Sequence, residues 1–398
     1  MTSIEEALEL VLHGLAPRDA ERVGIGGALG RVAAEPARSA VDLPPFDRSA
    51  MDGYAVRAAD TGPGVALRLA PGVAAGEVAE AALEPGTAAP ISTGAAIPPG
   101  ADAVLQVEHA TESDETVAPA GPVPVGRHVR PRGEDVRAGA VLAPAGERIT
   151  LPRVSALASA GVGSVEVRRR PRVAVLVTGS ELLPVGAPPE PGRIHESNGL
   201  MIGLLAARAG AVAGEPRTVP DDRAATVAAV GAALETADVL VVSGGVSVGP
   251  HDHVRPAFAA CGVEEVLWRV QIRPGKPLWF GRHGDRLVFG LPGNPLSTIV
   301  CFSMFIAPAL RRLGGEADAL PALERGRLAV PAEASDGRTT FLTSRIEAAE
   351  DGVLEATPTA RQGSHMTGAL GESDGFAVVP NSQGALPAGA PVALLRLA

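Results

Sequence analysis

The chain has 398 residues, of which 46% are hydrophobic, 20% charged and only 3% aromatic, with 48 glycines, 36 prolines and a formal charge of −10. That length exceeds what one core holds, so several domains are expected, and the composition excludes a disordered or fibrous chain. The acidic balance argues against general nucleic-acid binding, Glu5 and Glu6 stand where an export signal would be basic, and no run offers the ~20 apolar residues of a bilayer span.

We therefore expect no nucleic-acid partner and no membrane. Cys261 and Cys301 lie in apolar, helical surroundings without CxxC or Cys/His spacing, so they read as reduced packing residues of a cytoplasmic protein.

Ser3-Ile4-Glu5-Glu6 reads as a capping box opening a helix with apolar Ile4, Ala7, Leu8, Val11 and Leu12 on one stripe. The block Phe46 to Val56 then packs Asp47, Asp52 and the only tyrosine, Tyr54, around Gly53. Read alone, Asp52 before Gly53 is a turn former. Residues 65 to 120 alternate short apolar runs with Gly and Pro turns, the pattern of a β-rich unit, and Ser92-Thr93-Gly94 is one of those turns. Gly126 to Gly146 mixes Arg127, Arg130, Arg132 and Arg137 with Glu134 and Asp135, which reads as a salt-laced surface. A helix over Leu151 to Ala160 precedes the Arg168 to Arg172 run, where a domain boundary is expected.

From Val173 the chain alternates strand and helix, predicting an open, doubly wound α/β sheet. Strands are expected at Val173 to Val177, Glu215 to Val219, Val239 to Val242, Val266 to Ile272, Leu278 to Gly281 and Leu287 to Gly290. Helices are expected over Asn198 to Ala209, 223 to 236, Val254 to Ala260 and from Pro295 to about Leu313. Strand ends of such a sheet are where ligands bind. They deliver Thr178-Gly179-Ser180-Glu181, then Ser243-Gly244-Gly245 with Ser247, Gly249 and Asp252, then Pro292-Gly293-Asn294-Pro295 with Ser297. Small residues there let backbone amides approach an anion, although a loose Gly turn and an N-cap account for the same letters. Lys276 sits in Arg273-Pro274-Gly275-Lys276-Pro277, whose prolines stiffen its path, and strand alternation would put Arg269, Gln271 and Arg273 on one face. Past Gly326 the pattern returns to strands, with Gln362-Gly363-Ser364-His365 as a polar Gly turn.

Taken together, these blocks resemble the molybdopterin molybdenumtransferase family, MoeA and the E domain of gephyrin, over nearly the whole chain. The resemblance implies insertion of molybdenum into adenylylated molybdopterin with Mg²⁺-dependent release of AMP, the final step of molybdenum cofactor synthesis. It further implies a homodimer of four-domain subunits, molybdopterin adenylyltransferase as substrate donor, and a C-terminal small β-barrel-like domain. The expected division is 1–45 with 139–168 as an N-terminal linker domain, 46–138 as an inserted β-rich domain, 169–318 as the α/β domain and 319–398 as the C-terminal β domain.

Position by position, the resemblance makes Asp52, Thr93, Glu181, Asp221, Asp252, Arg269, Arg273, Lys276 and Ser364 active-site residues, with Glu181, Asp221 and Asp252 on Mg²⁺. Thr178, Gly179, Gly244, Gly245, Ser247, Gly249, Pro292, Gly293, Asn294, Pro295 and Ser297 would hold the nucleotide and phosphates, while the cations gather molybdate. The chain departs from the family in carrying Ser180 for an aspartate, Arg269 and Arg273 for lysines, and Thr343 for an arginine; either Arg345, on the same strand face, replaces that arginine or the contact is absent. Competing assignments are the sister adenylyltransferase, which the flanking units disfavour, and a non-catalytic molybdopterin carrier or scaffold.

Overall fold

The computed structural model describes residues 1–246, 252–333, 337–381 and 385–397, so the predicted site residues Ser247 and Gly249 lie outside the described residues. By contact the chain divides into two units, one of Met1–Glu21, Gly30–Ala34 and Val167–Ala398, the other of Arg22–Leu29 and Glu35–Glu166.

In the second unit the Gly- and Pro-punctuated runs form a six-stranded sheet in the order Ala103–Gln106, Gly53–Val56, Thr87–Ile91, Leu67–Leu69, Thr116–Pro119, Ala110–Glu112. Alternation along Gly53–Val56 sends Tyr54 and Val56 into one apolar cluster and Ala55 into another, so the sheet is packed on both faces. Arg132 pairs with Asp42 at 2.6 Å, as a salt-laced surface requires.

The first unit is built on a seven-stranded sheet. Val212–Ala213, Arg172–Thr178, Val239–Ser243 and Arg286–Leu291 follow one another in parallel, with Arg217–Val219 also on Arg172–Thr178. Trp279–His283 and Glu264–Trp268 then extend the sheet antiparallel, so the expected parallel order holds for the core and not for this edge. Helices cover both faces, as the unbroken β-branched strands demand. Val173, Val175, Val239 and Val241 pack with Ile202, Ala206 and the Phe302 to Leu310 stretch, while Leu176, Leu240 and Val242 pack with Ala229, Val230, Ala257 and Phe258.

Local signals set these helices. The Ser3 box closes in both directions, from Glu6 N–H to Ser3 Oγ and from Ser3 N–H to Glu6 Oε2, and Asp222 caps Arg223–Thr236 through the Ala225 amide. Ala7 and Val11 of the first helix join the α/β core, so residues 1–21 pack with this unit and not with the linker region expected for them. Pro295–Leu313 is 19 residues long with mean hydropathy 1.4, apolar enough by composition to cross a membrane, contrary to the expectation that no run would be; but 83% of its window is buried, which makes it a core helix. Its turns widen to a π-helix over Phe302–Ile306, just ahead of Pro308, whose ring would clash with the carbonyl of Met304 and which has no N–H to offer it.

Residues beyond 323 form the expected small barrel. Thr339–Ala348 pairs with Leu354–Pro358 and with Gly375–Val379, and the ring closes through Glu324–Leu328 and Pro391–Arg396. The predicted strand Val266 to Ile272 does not form as one element. It stops at Trp268, Arg269 turns with φ 73°, and Ile272–Arg273 leaves the sheet to run parallel to Thr339 and Thr340 of the barrel.

Candidate active site

Parallel strands end at one edge of the sheet, so Thr178-Gly179, Asp221, Ser243-Gly244 and Leu291-Pro292 are delivered there by topology alone. The loops interlock. Gly244 has φ 92°, and a Cβ on it would lie 2.7 Å from the Thr178 carbonyl oxygen, so only glycine permits this approach. The Asn198 amide donates to Ser243 Oγ at 2.9 Å and to the Gly293 carbonyl at 2.7 Å, joining two of the loops. Asn198 Oδ1 and Thr178 Oγ1 are buried without a hydrogen-bond partner among the described residues.

The acids sit along this edge in separate settings. Asp221 Oδ2 accepts from the Ser180 amide at 2.9 Å, and Ser180 Oγ accepts from the Asp221 amide at 3.2 Å. Glu181 folds back over Gly179, where a Cβ would lie 2.6 Å from Glu181 Oε2. Among the described residues no group of three or more His, Cys, Asp and Glu side chains could hold a metal ion, so Glu181, Asp221 and Asp252 do not form the acidic cluster expected of them. Their hard carboxylate oxygens suit an ion that takes most of its ligands from water and phosphate, as Mg²⁺ does.

A cavity of about 560 Å³ opens between the Arg273 to Pro277 turn, the Pro292 to Ser297 loop and the barrel. Arg273, Lys276, Pro292, Asn294, Ser297 and Ser364 all line it, which brings together residues from distant parts of the chain. Gly275 holds the turn against the helix behind it. With φ 113°, its Cβ would fall 2.7 Å from Cys301 Sγ, and that thiol donates to the Gly275 carbonyl at 3.5 Å. Burial pushes the Cys301 thiol far up, so it stays a neutral donor and a packing residue as expected. On the opposite wall Gln362 pins the barrel strand, accepting from the Thr343 amide at 3.0 Å and donating to its carbonyl at 2.9 Å. Asn294 stands at the helix start as predicted, but its side chain makes no cap; it donates to Ser364 Oγ at 3.1 Å and thereby ties loop to barrel.

Several predicted residues are not in this wall. Glu181, Asp221 and Asp252 lie outside it, as does Arg269. Because the strand ends at Trp268, the shared face proposed for Arg269, Gln271 and Arg273 does not exist; Arg269 stacks on the Trp268 ring with its guanidinium carbon 4.0 Å from the centroid. Arg345 is exposed and bonds the Glu372 carbonyl at 3.4 Å, so it does not stand in for an arginine at Thr343. The cavity instead includes Arg338 and Thr340, which sequence reasoning passed over as the start of a strand. In the other unit Asp52 and Thr93 meet, the Thr93 amide donating to Asp52 Oδ1 at 2.7 Å. Asp52 lines a separate cavity of about 430 Å³ with Tyr54, Ser92 and Glu112, where the Tyr54 hydroxyl donates to Glu112.

Comparison with known proteins adds the family. Residues 2–161 match the MoeA N-terminal region (domain I and II), 174–312 a probable molybdopterin binding domain, and 325–397 the MoeA C-terminal region (domain IV). The molybdopterin molybdenumtransferase of Haemophilus influenzae is 32% identical over 397 residues, covering 99% of this chain and 98% of its own length. The chain belongs to the molybdopterin molybdenumtransferase family. A molybdopterin molybdenumtransferase 2 of Mycobacterium tuberculosis is 34% identical over 96% of both chains. Two crystal structures of the molybdopterin biosynthesis MoeA protein of Pyrococcus horikoshii superpose with TM-scores of 0.86 and 0.82 at 32% and 28% identity, each covering at least 99% of both chains. As a molybdenumtransferase, the chain works in molybdenum cofactor biosynthesis, and the three matched regions account for its α/β and barrel parts.

Proposed function

We propose that this transferase inserts molybdenum from molybdate into adenylylated molybdopterin, with Mg²⁺-dependent release of AMP. The observation that carries the reading is the cavity in which Arg273 and Lys276, neither in an ion pair among the described residues, face the Asn294 to Ser297 helix start and Ser364. Fixed cations of this kind gather a tetrahedral dianion, while the helix start is already tied to the barrel, the Leu296 amide donating to the Ser364 carbonyl at 3.3 Å. Thr178, Gly179, Gly244 and Gly245 present backbone at the neighbouring edge for the nucleotide, and Ser247 and Gly249 would continue that cradle.

In the reaction, Arg273 and Lys276 hold the oxyanion beside the anhydride. One of its oxygens bonds to the pterin-side phosphorus; the bridging P–O bond breaks, and its electron pair leaves with AMP, after which the dithiolene sulfurs replace oxygens on molybdenum, the displaced oxygen leaving as water with the thiol protons and no change of oxidation state. Mg²⁺, when bound, neutralises charge on the pyrophosphate. Glu181, Asp221 and Asp252 would share that ion with substrate oxygens, which explains acids spread along an edge without a closed cage. Electrostatic placement supplies most of the rate in such transfers. Asp52 and Thr93, with Arg269, belong to the same proposal as further active-site residues, in a cytoplasmic homodimer supplied by a molybdopterin adenylyltransferase. The free state of both cysteines suits a reducing compartment.

The test is AMP release from adenylylated molybdopterin by the purified chain, followed chromatographically. Release is expected only when Mg²⁺ and molybdate are both present, and Asp252→Asn should abolish it with an unchanged circular dichroism spectrum. Binding of substrate without release would identify a carrier and overturn the reading, and undiminished turnover of the Asp252 variant would remove that residue from it.

A further inference from the structure

We propose that Arg338 and Thr340 of the barrel complete the oxyanion site of the cavity, making it a three-cation cradle with a hydroxyl donor for a tetrahedral metal oxyanion. The inference rests on the functional reading above and deepens it by assigning residues that the sequence motifs do not include.

The first support is register. Ile272–Arg273 runs parallel to the barrel strand with Arg273 paired to Thr340, and the Thr339 amide donates to the Gln271 carbonyl at 2.9 Å. The barrel strand therefore enters beside Arg273 as a fixed neighbour. Thr340 is 4% exposed, lines the cavity, and its Oγ1 has no hydrogen-bond partner among the described residues. A buried hydroxyl is costly to leave unpaired, so a donor held at a cavity wall beside an arginine points to an acceptor in the cavity. Arg338 is half-buried in this cavity, and its side chain makes no ion pair or hydrogen bond among the described residues, even with Glu333, the one carboxylate of the lining.

Charge and position then agree. Arg273, Lys276 and Arg338 outnumber Glu333 and leave the cavity cationic, as a dianion requires. Thr343 is 0% exposed and locked to Gln362, while Arg345 lies outside the wall. Arg338 lines the cavity from the residue just before that strand, two positions ahead of Thr340. A planar fork can take two oxygens of one oxyanion.

The experiment is calorimetric titration of the full chain with molybdate at low ionic strength, on variants that melt at the unmutated temperature. Arg338→Ala should weaken binding about 10-fold or more, the loss of one charge-assisted contact. Arg338→Lys should recover part of it, and Thr340→Val, which keeps the β-branched shape, should weaken binding several-fold. Arg345→Ala should stay within twofold. Unchanged binding in both Arg338→Ala and Thr340→Val, or a loss confined to Arg345→Ala, overturns the inference alone. Failure of the unmutated chain to bind molybdate overturns the functional reading and the inference with it.

Discussion

The two ends of the central sheet treat charge in opposite ways. At the amino end of Val239–Ser243, Asp238 is paired with Arg18 at 3.2 Å and with Arg169 at 3.1 Å, and it also accepts from the Arg172 amide at 2.7 Å. At the carboxyl end Arg273, Lys276 and Arg338 have no ion-pair partner among the described residues, although they line one cavity. A folded chain gains nothing by keeping like charges close and uncompensated, whereas a compensated buried acid locks the elements around it. The amino end is thus built to hold the fold, and the carboxyl end to hold a guest.

The largest expected effect breaks the functional end. Lys276→Ala should lower AMP release about 100- to 1,000-fold, the usual consequence of removing one fixed donor to developing charge. It should leave the melting temperature unchanged or raise it slightly, because a repelling cation has gone from the wall. Steady-state AMP release and a thermal melt on the same sample check both halves. A variant that melts early while retaining its rate would reverse the roles assigned to the two ends.

The complementary change is at the amino end. Asp238→Asn should cost about 3 kcal/mol of stability, near the lower bound for breaking a buried pair because Arg169 is one-third exposed. AMP release at saturating substrate should remain within twofold. Burial alone would raise the Asp238 carboxyl, but hydrogen bonds from Arg169 and the Arg172 amide, with the charge of Arg18, bring it below the usual carboxylate range. Its folded value lies below its unfolded one, so its stabilisation is present above about pH 4 and is lost as pH falls through the folded value. Denaturant melts from pH 7 to pH 2 should therefore show the gap between the two proteins closing only at the acid end. A gap independent of pH would mean that packing, and not charge, is what the substitution disturbs.

That division of labour was only half visible in the letters. Elements set by local chemistry were legible: the Ser3 box, the run Val239–Ser243 and the helix Val254–Ala260 stand where periodicity and caps put them, while the cap of 223–236 was legible only as Asp221 or Asp222 and proves to be Asp222. The glycine loops converge because parallel strands must end together, and that too follows from an alternating pattern. What could not be read depends on partners remote in sequence. An unbroken apolar and charged run from Val266 to Ile272 looks like one strand, yet the chain turns at Arg269, which stacks on Trp268, and then crosses to the barrel. Alternation was applied across a break that no single residue announces, so Arg269 was grouped with the wrong neighbours. Arg338 and Thr340 carry no motif at all; only the pairing of Arg273 with Thr340 brings them to the cavity. Likewise, the family resemblance implied one acidic cluster, whereas Asp221 is turned to the Ser180 amide and Glu181 folds over Gly179.

The same contrast recurs inside the other unit, and there it can be sharpened with the smallest perturbation. Asp52 and Glu112 line one cavity; Asp52 accepts a backbone amide, while Glu112 accepts the Tyr54 hydroxyl. Hydrogen bonding to Glu112, helped by burial and by the carboxylate charge, pushes the Tyr54 phenol up to about 12. Tyr54 is the only tyrosine in the chain, so its ionisation can be followed alone by difference absorbance between pH 8 and pH 12.5. The unmutated unit should show only about a tenth phenolate at pH 11. Glu112→Gln removes the negative charge that opposes ionisation, and the midpoint should fall towards the ordinary value of about 10. Since the folded value exceeds the unfolded one, the bond stabilises below about pH 10 and is lost as pH rises through the folded midpoint. A titration near pH 10 in the unmutated chain would show that this acid is not compensated by the phenol, and would place Glu112 with the uncompensated charges.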